Sequence, residues 1–183
     1  MRSVHSRRLN GAAQSSKAAS AKLVCAARPF SIFILLAICV APASAASLSR
    51  SVEVAGTPSQ IWSKIGPFCA IRDWHPAIAT CTEDGKKPAT RTLVTKDGKA
   101  TFVELQTTNS QKKHLYGYTF VSSPLPVTGY QSILKVTAKD GGHSVVTWSG
   151  EYNPDPGKEK DADIALSGIY EAGLEAIRAR FAN

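Results

Sequence analysis

The sequence predicts an α+β domain in which a seven-stranded antiparallel sheet carries its helices on one face. Two Asp-Gly pairs, Asp97-Gly98 and Asp140-Gly141, each lie between runs of strand-forming residues, which is typical of β-hairpins. Residues 161–181 have apolar side chains at the three-and-four spacing of a long amphipathic helix. The elements therefore run strand, two short helices, six strands and one long helix, an order that indicates an antiparallel sheet with segregated helices.

The N-terminal part of this domain supplies the first strand and both short helices. Residues 48–54 alternate apolar and polar side chains, with one arginine breaking the pattern, as a half-buried strand does. A threonine followed by a proline at the first helical position predicts a helix over residues 58–65, which a Gly-Pro pair ends. A second short segment, helical or irregular, is predicted over residues 68–74, and it ends there because Pro76 disfavours helical backbone at the residue before it.

The remaining six strands follow from alternation and from the two hairpin turns. They are predicted over residues 79–83, 90–95, 100–107, 114–121, 130–138 and 143–152. Residues 122–129, with two prolines and a glycine, form the loop between the fourth and fifth of these strands.

The predicted C-terminal helix separates apolar from charged residues. Its apolar side consists of Leu166, Ile169, Tyr170, Gly173, Leu174, Ile177 and Phe181. Acidic residues come early and basic residues late, which the helix dipole favours. A glycine inside a helix costs about 0.5 to 1 kcal/mol relative to alanine. Gly168 and Gly173 therefore indicate either close backbone packing or the wall of a cavity.

The first 45 residues have the pattern of a secretory signal peptide. They contain six basic residues and no acid, and their apolar run covers only the 11 residues from 30 to 40. This run is shorter than the roughly 20 residues that cross a bilayer, and Ala43-Ser44-Ala45 provides the small residues of a cleavage site. We therefore expect cleavage after Ala45, a periplasmic or secreted protein, and no stable membrane anchor afterwards. An uncleaved anchor is the alternative.

The charge of the chain argues against a nucleic-acid partner once the leader is set apart. The chain has 22 basic and 14 acidic residues, and removal of the six leader bases leaves 16 against 14. The remaining bases form scattered pairs, such as Lys86-Lys87 and Lys112-Lys113, rather than the basic stripe that nucleic acid requires. Residues 46–183 fit one domain with a single core.

Alternation in two central strands predicts what the sheet encloses. One face of these strands mixes aromatic and polar side chains, namely Phe102, Glu104, Gln106, His114, Tyr116, Tyr118 and Phe120. Ligand sites are mostly apolar with a few polar groups, so we expect this face to line a cavity. For Glu104 and Gln106, exposure to solvent is the alternative, since glutamate is rarely buried without a partner.

Several segments of the chain carry a family resemblance. They are residues 61–66, 73–78, 123–130, 146–150 and 168–174, together with Cys81. These segments are similar to the polyketide cyclase and lipid-transport-like proteins of the SRPBCC superfamily, which also includes START domains, Bet v 1-like proteins and plant abscisic-acid receptors. The resemblance covers residues 48–181. It implies a helix-grip fold, in which the curved sheet wraps around the long C-terminal helix and leaves a deep apolar cavity.

The chain departs from the plant hormone receptors at two points. Ala79 stands where those receptors have a lysine that anchors the ligand's carboxylate, and the tight turn at residues 96–99 replaces their gate loop. The loop at residues 122–130 resembles their second, latch-like loop. The resemblance therefore does not imply a carboxylate hormone bound in the same pose.

Two functional classes stay open, because the chain contains no strong catalytic motif. It lacks a Gly-x-Ser-x-Gly elbow, a His-Glu-x-x-His motif and a phosphate-binding glycine loop. The first class is a binder or carrier of a small hydrophobic or amphipathic molecule that needs no cofactor. The alternative is a cyclase- or hydrolase-like enzyme that uses His75, Glu104 or a cavity tyrosine as acid or base. For His75 we expect a structural role, a hydrogen bond to a backbone carbonyl.

Twelve residues are expected to line the cavity and contact the ligand. They are Trp62, Trp74, His75, Glu104, Tyr116, Tyr118, Pro126, Tyr130, Trp148, Ile169, Tyr170 and Gly173. Cys69 and Cys81, the two cysteines that remain after cleavage, are expected to form a disulfide in an oxidising compartment. A metal site made of these cysteines and His75 would require reduced thiols, so we expect no metal.

Overall fold

The computed structural model describes residues 45–182, which form one antiparallel sheet and three α-helices. The predicted signal peptide lies, apart from Ala45, outside the described residues. The elements in chain order are β1 (Ala46–Ala55), α1 (Pro58–Ile65), a 3₁₀ turn (Phe68–Ala70), α2 (Ile71–Trp74), β2 (Ile78–Glu83), β3 (Thr90–Thr95), β4 (Thr101–Ser110), β5 (Leu115–Ser122), β6 (Val127–Lys139), a second 3₁₀ turn (Asp140–Gly142), β7 (His143–Pro154) and α3 (Glu159–Arg180). Within this part of the chain, no helix is long and apolar enough to cross a membrane.

The seven strands lie in the spatial order β1-β7-β6-β5-β4-β3-β2. Strands β2 to β6 each pair with the next strand in sequence, whereas β1 pairs with β7, so that Ala46 lies opposite Tyr152. The predicted α+β architecture, with seven strands, two short helices and a long C-terminal helix, is confirmed. Several boundaries differ by one to three residues; for example, Val127 and Thr128 pair with the end of β7 and shorten the predicted loop at residues 122–129.

Local signals explain how the first helix and the hairpins form. Thr57 and Gln60 make a reciprocal capping box at the start of α1, in which each side chain accepts a hydrogen bond from the other residue's amide. Gly98 and Gly141 occupy the two predicted turns with φ angles of 69° and 71°, a region that favours glycine.

Helix α3 packs its apolar side on the inner face of the curved sheet. Its buried residues are Ala162, Leu166, Tyr170, Gly173, Leu174 and Ile177. Ile169 and Phe181 are partly buried against the same core. On the solvent side of this contact, Arg50 of β1 donates to Glu171 at 2.9 Å. The sheet and the helix therefore enclose one core.

The predicted disulfide between Cys69 and Cys81 is present, with the two Cα atoms 5.4 Å apart. It links the first 3₁₀ turn to β2, the strand at one edge of the sheet. Because the two sulfur atoms are bonded to each other, they are not available as thiolate ligands beside His75.

Candidate functional site

A cavity of about 130 Å³ lies between α3 and the inner face of the sheet. Its wall draws on α2, α3 and all strands from β2 to β7, and consists of Ile71, His75, Ala77, Ile78, Leu93, Thr95, Phe102, Glu104, Tyr118, Phe120, Tyr130, Trp148, Leu166 and Ile169. Most of these side chains are apolar. An apolar cavity of about 150 Å³ is large enough to bind benzene, so this one suits a small molecule.

Half of the residues expected at the cavity lie on its wall. These are His75, Glu104, Tyr118, Tyr130, Trp148 and Ile169. They come from five different strands and helices and from the segment after α2. The helix-grip arrangement therefore brings residues that are far apart in sequence to one space.

The other expected residues pack around the cavity rather than on its wall. Trp62 lies against Tyr116, with ring centroids 5.8 Å apart. Trp74 meets Trp148 edge-on at 5.7 Å. Pro126 is half-buried in the loop between β5 and β6. None of these three residues borders the cavity, and neither does Tyr116.

Gly173 allows close packing and does not border the cavity. A Cβ atom at this position would lie 2.8 Å from His75 Cδ2, 2.8 Å from Trp148 Cζ3 and 3.0 Å from Trp74 Cζ3. These distances are shorter than van der Waals contact, so the missing side chain lets three rings approach the helix backbone. At Gly168, in contrast, a Cβ atom would meet no atom within 4 Å.

The charged side chain on the cavity wall, Glu104, has a buried partner that sequence reasoning missed. Glu104 is 4% exposed and accepts a hydrogen bond from Arg91 Nε at 2.6 Å. Arg91 is fully buried, donates through Nη1 to the Phe68 carbonyl oxygen, and lies 4.0 Å from the centre of the Phe68 ring. The solvent-exposed alternative for Glu104 is therefore wrong.

Alternation could have identified Arg91. It occupies the same face of β3 as Leu93, which is buried, and the hairpin register places it directly opposite Glu104. A carboxylate on an apolar face needs a cation nearby, because an unpaired buried charge is strongly destabilising.

The ion pair is neutral as a unit. Burial raises the pKa of Glu104 above its ordinary value, and the charge of Arg91 opposes that rise. Burial also disfavours the charged form of Arg91, but Glu104 and the neighbouring tyrosines outweigh it, so the pKa of Arg91 is raised and the guanidinium stays protonated.

Hydroxyl groups form a chain beside the cavity. Tyr118 lies 3.3 Å from Tyr130, Tyr130 lies 2.8 Å from Tyr170, and Tyr170 lies 2.9 Å from Ser132, measured between hydroxyl oxygens. Trp148 Nε1 donates to the Tyr118 hydroxyl at 3.1 Å and to the Ser132 hydroxyl at 3.0 Å. Burial raises the pKa of all three tyrosines, to about 12 for Tyr170, so their hydroxyls remain protonated at neutral pH.

Tyr170 does not border the cavity, but its hydroxyl is hydrogen-bonded to Tyr130, which does. Ser132, which connects Tyr170 to Trp148, was not expected from the sequence. Its position offered a signal, because it is a serine at an inward-facing position of a strand that otherwise buries apolar residues there. A buried hydroxyl group needs a hydrogen-bond partner.

His75 is held in the structural role expected for it. Its Nδ1 accepts from the Ala77 amide at 3.2 Å, so the ring proton lies on Nε2, which donates to the Ile169 carbonyl oxygen at 3.0 Å. Burial lowers the pKa of His75, and the bond to Ile169 partly opposes this. The imidazole is neutral at pH 7 and both of its nitrogens are occupied.

The chain is similar to known proteins in both sequence and structure. Residues 45–182 match the family model described as polyketide cyclase / dehydrase and lipid transport. The structure of protein XoxI from Bacillus cereus is 32% identical, with a TM-score of 0.70 over 74% of this chain and 95% of that one. A search of curated proteins finds no match.

Two more distant structures share the fold alone. Norcoclaurine synthase from Thalictrum flavum is 18% identical, with a TM-score of 0.61 over 74% of this chain and 92% of that one. The Zhui aromatase/cyclase from Streptomyces sp. R1128 is 12% identical, with a TM-score of 0.61 over 75% of this chain and 93% of that one. The family match over residues 45–182, together with the fold, confirms the resemblance, and the chain belongs to the polyketide cyclase/dehydrase and lipid-transport family of the SRPBCC superfamily.

Proposed function

We propose that this is an exported binding or carrier protein for a small hydrophobic or amphipathic molecule. The observation that carries the proposal is the cavity under α3, whose wall is mostly apolar and includes one charged side chain, Glu104. Pre-formed cavities of this kind, with a few placed polar groups, are characteristic of small-molecule sites. The family's description, which includes lipid transport, supports the same class of ligand.

An acid-base enzyme is the second candidate. Glu104 borders the cavity and burial raises its pKa, which is a feature of catalytic carboxyl groups. Two observations nevertheless favour binding without reaction. Both nitrogens of His75 are bonded to backbone groups, and Glu104 is held by Arg91. His75 therefore has no free nitrogen to accept a proton from a ligand, and the charge of Arg91 opposes the rise in the pKa of Glu104 and so makes its carboxylate a weaker base.

Probe binding to two variants of α3 tests the proposed site. Ile169 borders the cavity, whereas Ile164 on the same helix is 59% exposed. Ile169→Trp should fill the cavity and weaken binding of benzene at least about tenfold, because the indole ring would compete for the same space. Ile164→Trp is the matched control and should bind like the wild type. No binding by the wild type would count against the carrier function.

Native mass spectrometry of the protein purified from its own host distinguishes the two candidates. A carrier should release the same small molecule that it bound. If incubation with that molecule yields a product of different mass, and Glu104→Gln abolishes the conversion, the enzyme is the better description.

Export is supported by the leader sequence and is compatible with the Cys69–Cys81 disulfide. N-terminal sequencing of periplasmic or secreted protein should begin at Ala46. Recovery of the intact leader in a membrane fraction would instead favour the uncleaved anchor.

A further inference from the structure

The side chains on the cavity wall that can form hydrogen bonds show which part of a ligand the site accepts. They are His75, Thr95, Glu104, Tyr118, Tyr130 and Trp148. Each donor among them is already used by another group of the protein, so the direction of each hydrogen bond can be assigned from the contacts of its neighbours.

Ser132, at one end of the hydroxyl chain, determines the direction of every hydrogen bond in it. The Ser132 hydroxyl lies 2.9 Å from the Ser149 carbonyl oxygen, which can only accept, so Ser132 donates there. Tyr170 must then donate to Ser132, Tyr130 to Tyr170, and Tyr118 to Tyr130. Each hydroxyl has one proton to donate, and this assignment uses all of them inside the protein.

The remaining donors on the wall are committed as well. Trp148 Nε1 donates to Tyr118 and to Ser132, and His75 Nε2 donates to a helix carbonyl. The Thr95 hydroxyl donates to the Asp97 carboxylate at 2.6 Å, a bond that also lowers the pKa of Asp97. Three buried donors have no partner among the described residues, and they belong to side chains that do not border the cavity: Trp74 Nε1, Arg91 Nη2 and Gln106 Nε2.

Glu104, in contrast to these donors, has a free hydrogen-bond acceptor. Its Oε2 atom accepts from Arg91, while Oε1 has no hydrogen bond to any other described residue. A carboxylate in an ion pair accepts and does not donate. Because Arg91 compensates its charge, an added anion or cation would be buried without a counter-ion, which is strongly unfavourable.

We infer that the cavity selects a neutral molecule with a hydrogen-bond donor, a hydroxyl or N–H group on an apolar body, which it binds against Glu104, and that it rejects carboxylates. This inference rests on the proposed binding function and specifies its ligand class. A hydrogen bond to a charged acceptor is stronger than one between neutral groups, so the donor should decide affinity among molecules of equal size.

Four compounds with one benzene ring test the inference: phenol, anisole, benzene and benzoate. Their affinities for the wild-type protein are measured by titration calorimetry at pH 7. We expect phenol to bind at least about tenfold more tightly than anisole and benzene, because it alone donates to Glu104. The anion benzoate should bind most weakly.

The variant Arg91→Leu/Glu104→Leu removes the acceptor together with its counter-ion, which keeps the core neutral. Its thermal unfolding establishes that it folds. It should bind phenol and benzene with affinities within about threefold of each other, because only apolar contacts remain. A preference for phenol that survives in this variant would overturn the role of Glu104.

The outcomes separate this inference from the proposed function. Binding of all four compounds with similar affinity, or tight binding of benzoate, overturns the selection of a neutral donor but leaves a binding protein. Binding of none of them overturns the proposed binding function, and the inference with it.

Discussion

The two ends of the core share strands but differ in chemistry. On the inner face of β6, Val136 and Leu134 are buried at one end, and the next inward positions are Ser132 and Tyr130. We call Leu134, Val136 and Val146 the aliphatic end, and Tyr130, Ser132 and Glu104 the cavity end. Val136 lies opposite Val146 on β7, whereas Ser132 lies opposite Gly150. One continuous alternation therefore supplies both ends.

The difference shows where stability and selectivity come from. Burial of an aliphatic side chain contributes about 1.5 to 3 kcal/mol and needs no partner. A buried polar group contributes little unless all its hydrogen bonds are made, and costs much when one is lost. Substitutions at the aliphatic end should therefore change stability alone, whereas those at the cavity end should change stability and binding together.

The largest effect is expected for Glu104→Leu. It leaves the fully buried Arg91 without a counter-ion and should lower the free energy of unfolding by about 3 to 5 kcal/mol, measured by urea denaturation. The double variant Arg91→Leu/Glu104→Leu is the control and should regain most of this loss. If the single variant is as stable as the double one, the buried charge is not what destabilises it.

Leu134→Ala examines the aliphatic end. Leu134 is fully buried and does not border the cavity, so its truncation should cost about 3 kcal/mol through lost burial and a new void. The affinity for phenol should stay within about twofold of the wild type at a temperature where the variant is folded. A large loss of affinity would show that the two ends are not separable.

The two glycines of α3 form a matched pair. Gly173→Ala should lower stability by about 1 to 3 kcal/mol, because its Cβ would overlap the rings of His75 and Trp148. Gly168→Ala, where a Cβ meets open space, should raise stability by about 0.5 to 1 kcal/mol through helix propensity. Thermal denaturation of both variants checks this, and equal shifts would contradict the packing role of Gly173.

The smallest effect concerns pH. Burial holds the pKa of His75 below its unfolded value of about 6.5, so the unfolded chain binds more protons as pH falls below that value. His75 therefore lowers stability below about pH 6.5, by no more than about 1.4 kcal/mol per pH unit. His75→Gln should reduce this slope in urea denaturation between pH 7 and pH 5. An unchanged slope would show that other titratable groups cause the pH dependence of stability.

The fold could be predicted from the sequence because its signals are local. The Asp-Gly turns define two hairpins, the Thr57 and Pro58 pair starts α1, and the spacing of apolar residues defines α3. Each of these signals depends on residues within one element or one turn, and backbone sterics and hydrogen bonding act at that range.

The candidate site was harder to predict because it depends on distances between elements. Alternation identified the face that carries Glu104 and Tyr118, but not how far each side chain reaches. Tyr116 shares that face and still does not border the cavity. Arg91 was missed because arginine is ordinarily exposed, and only the register opposite Glu104 reveals its role.

The pairing of β1 with β7 has a consequence for the order of folding. During synthesis, residues 46–55 are made before the rest of the domain, yet the strand they pair with begins only at His143. Contacts between distant parts of a chain form slowly, so we expect the consecutive strands β2 to β7 to assemble before β1 joins them. Pulsed hydrogen exchange should then protect β1 amides last, and a chain interrupted before residue 143 would leave its first strand with no edge to complete.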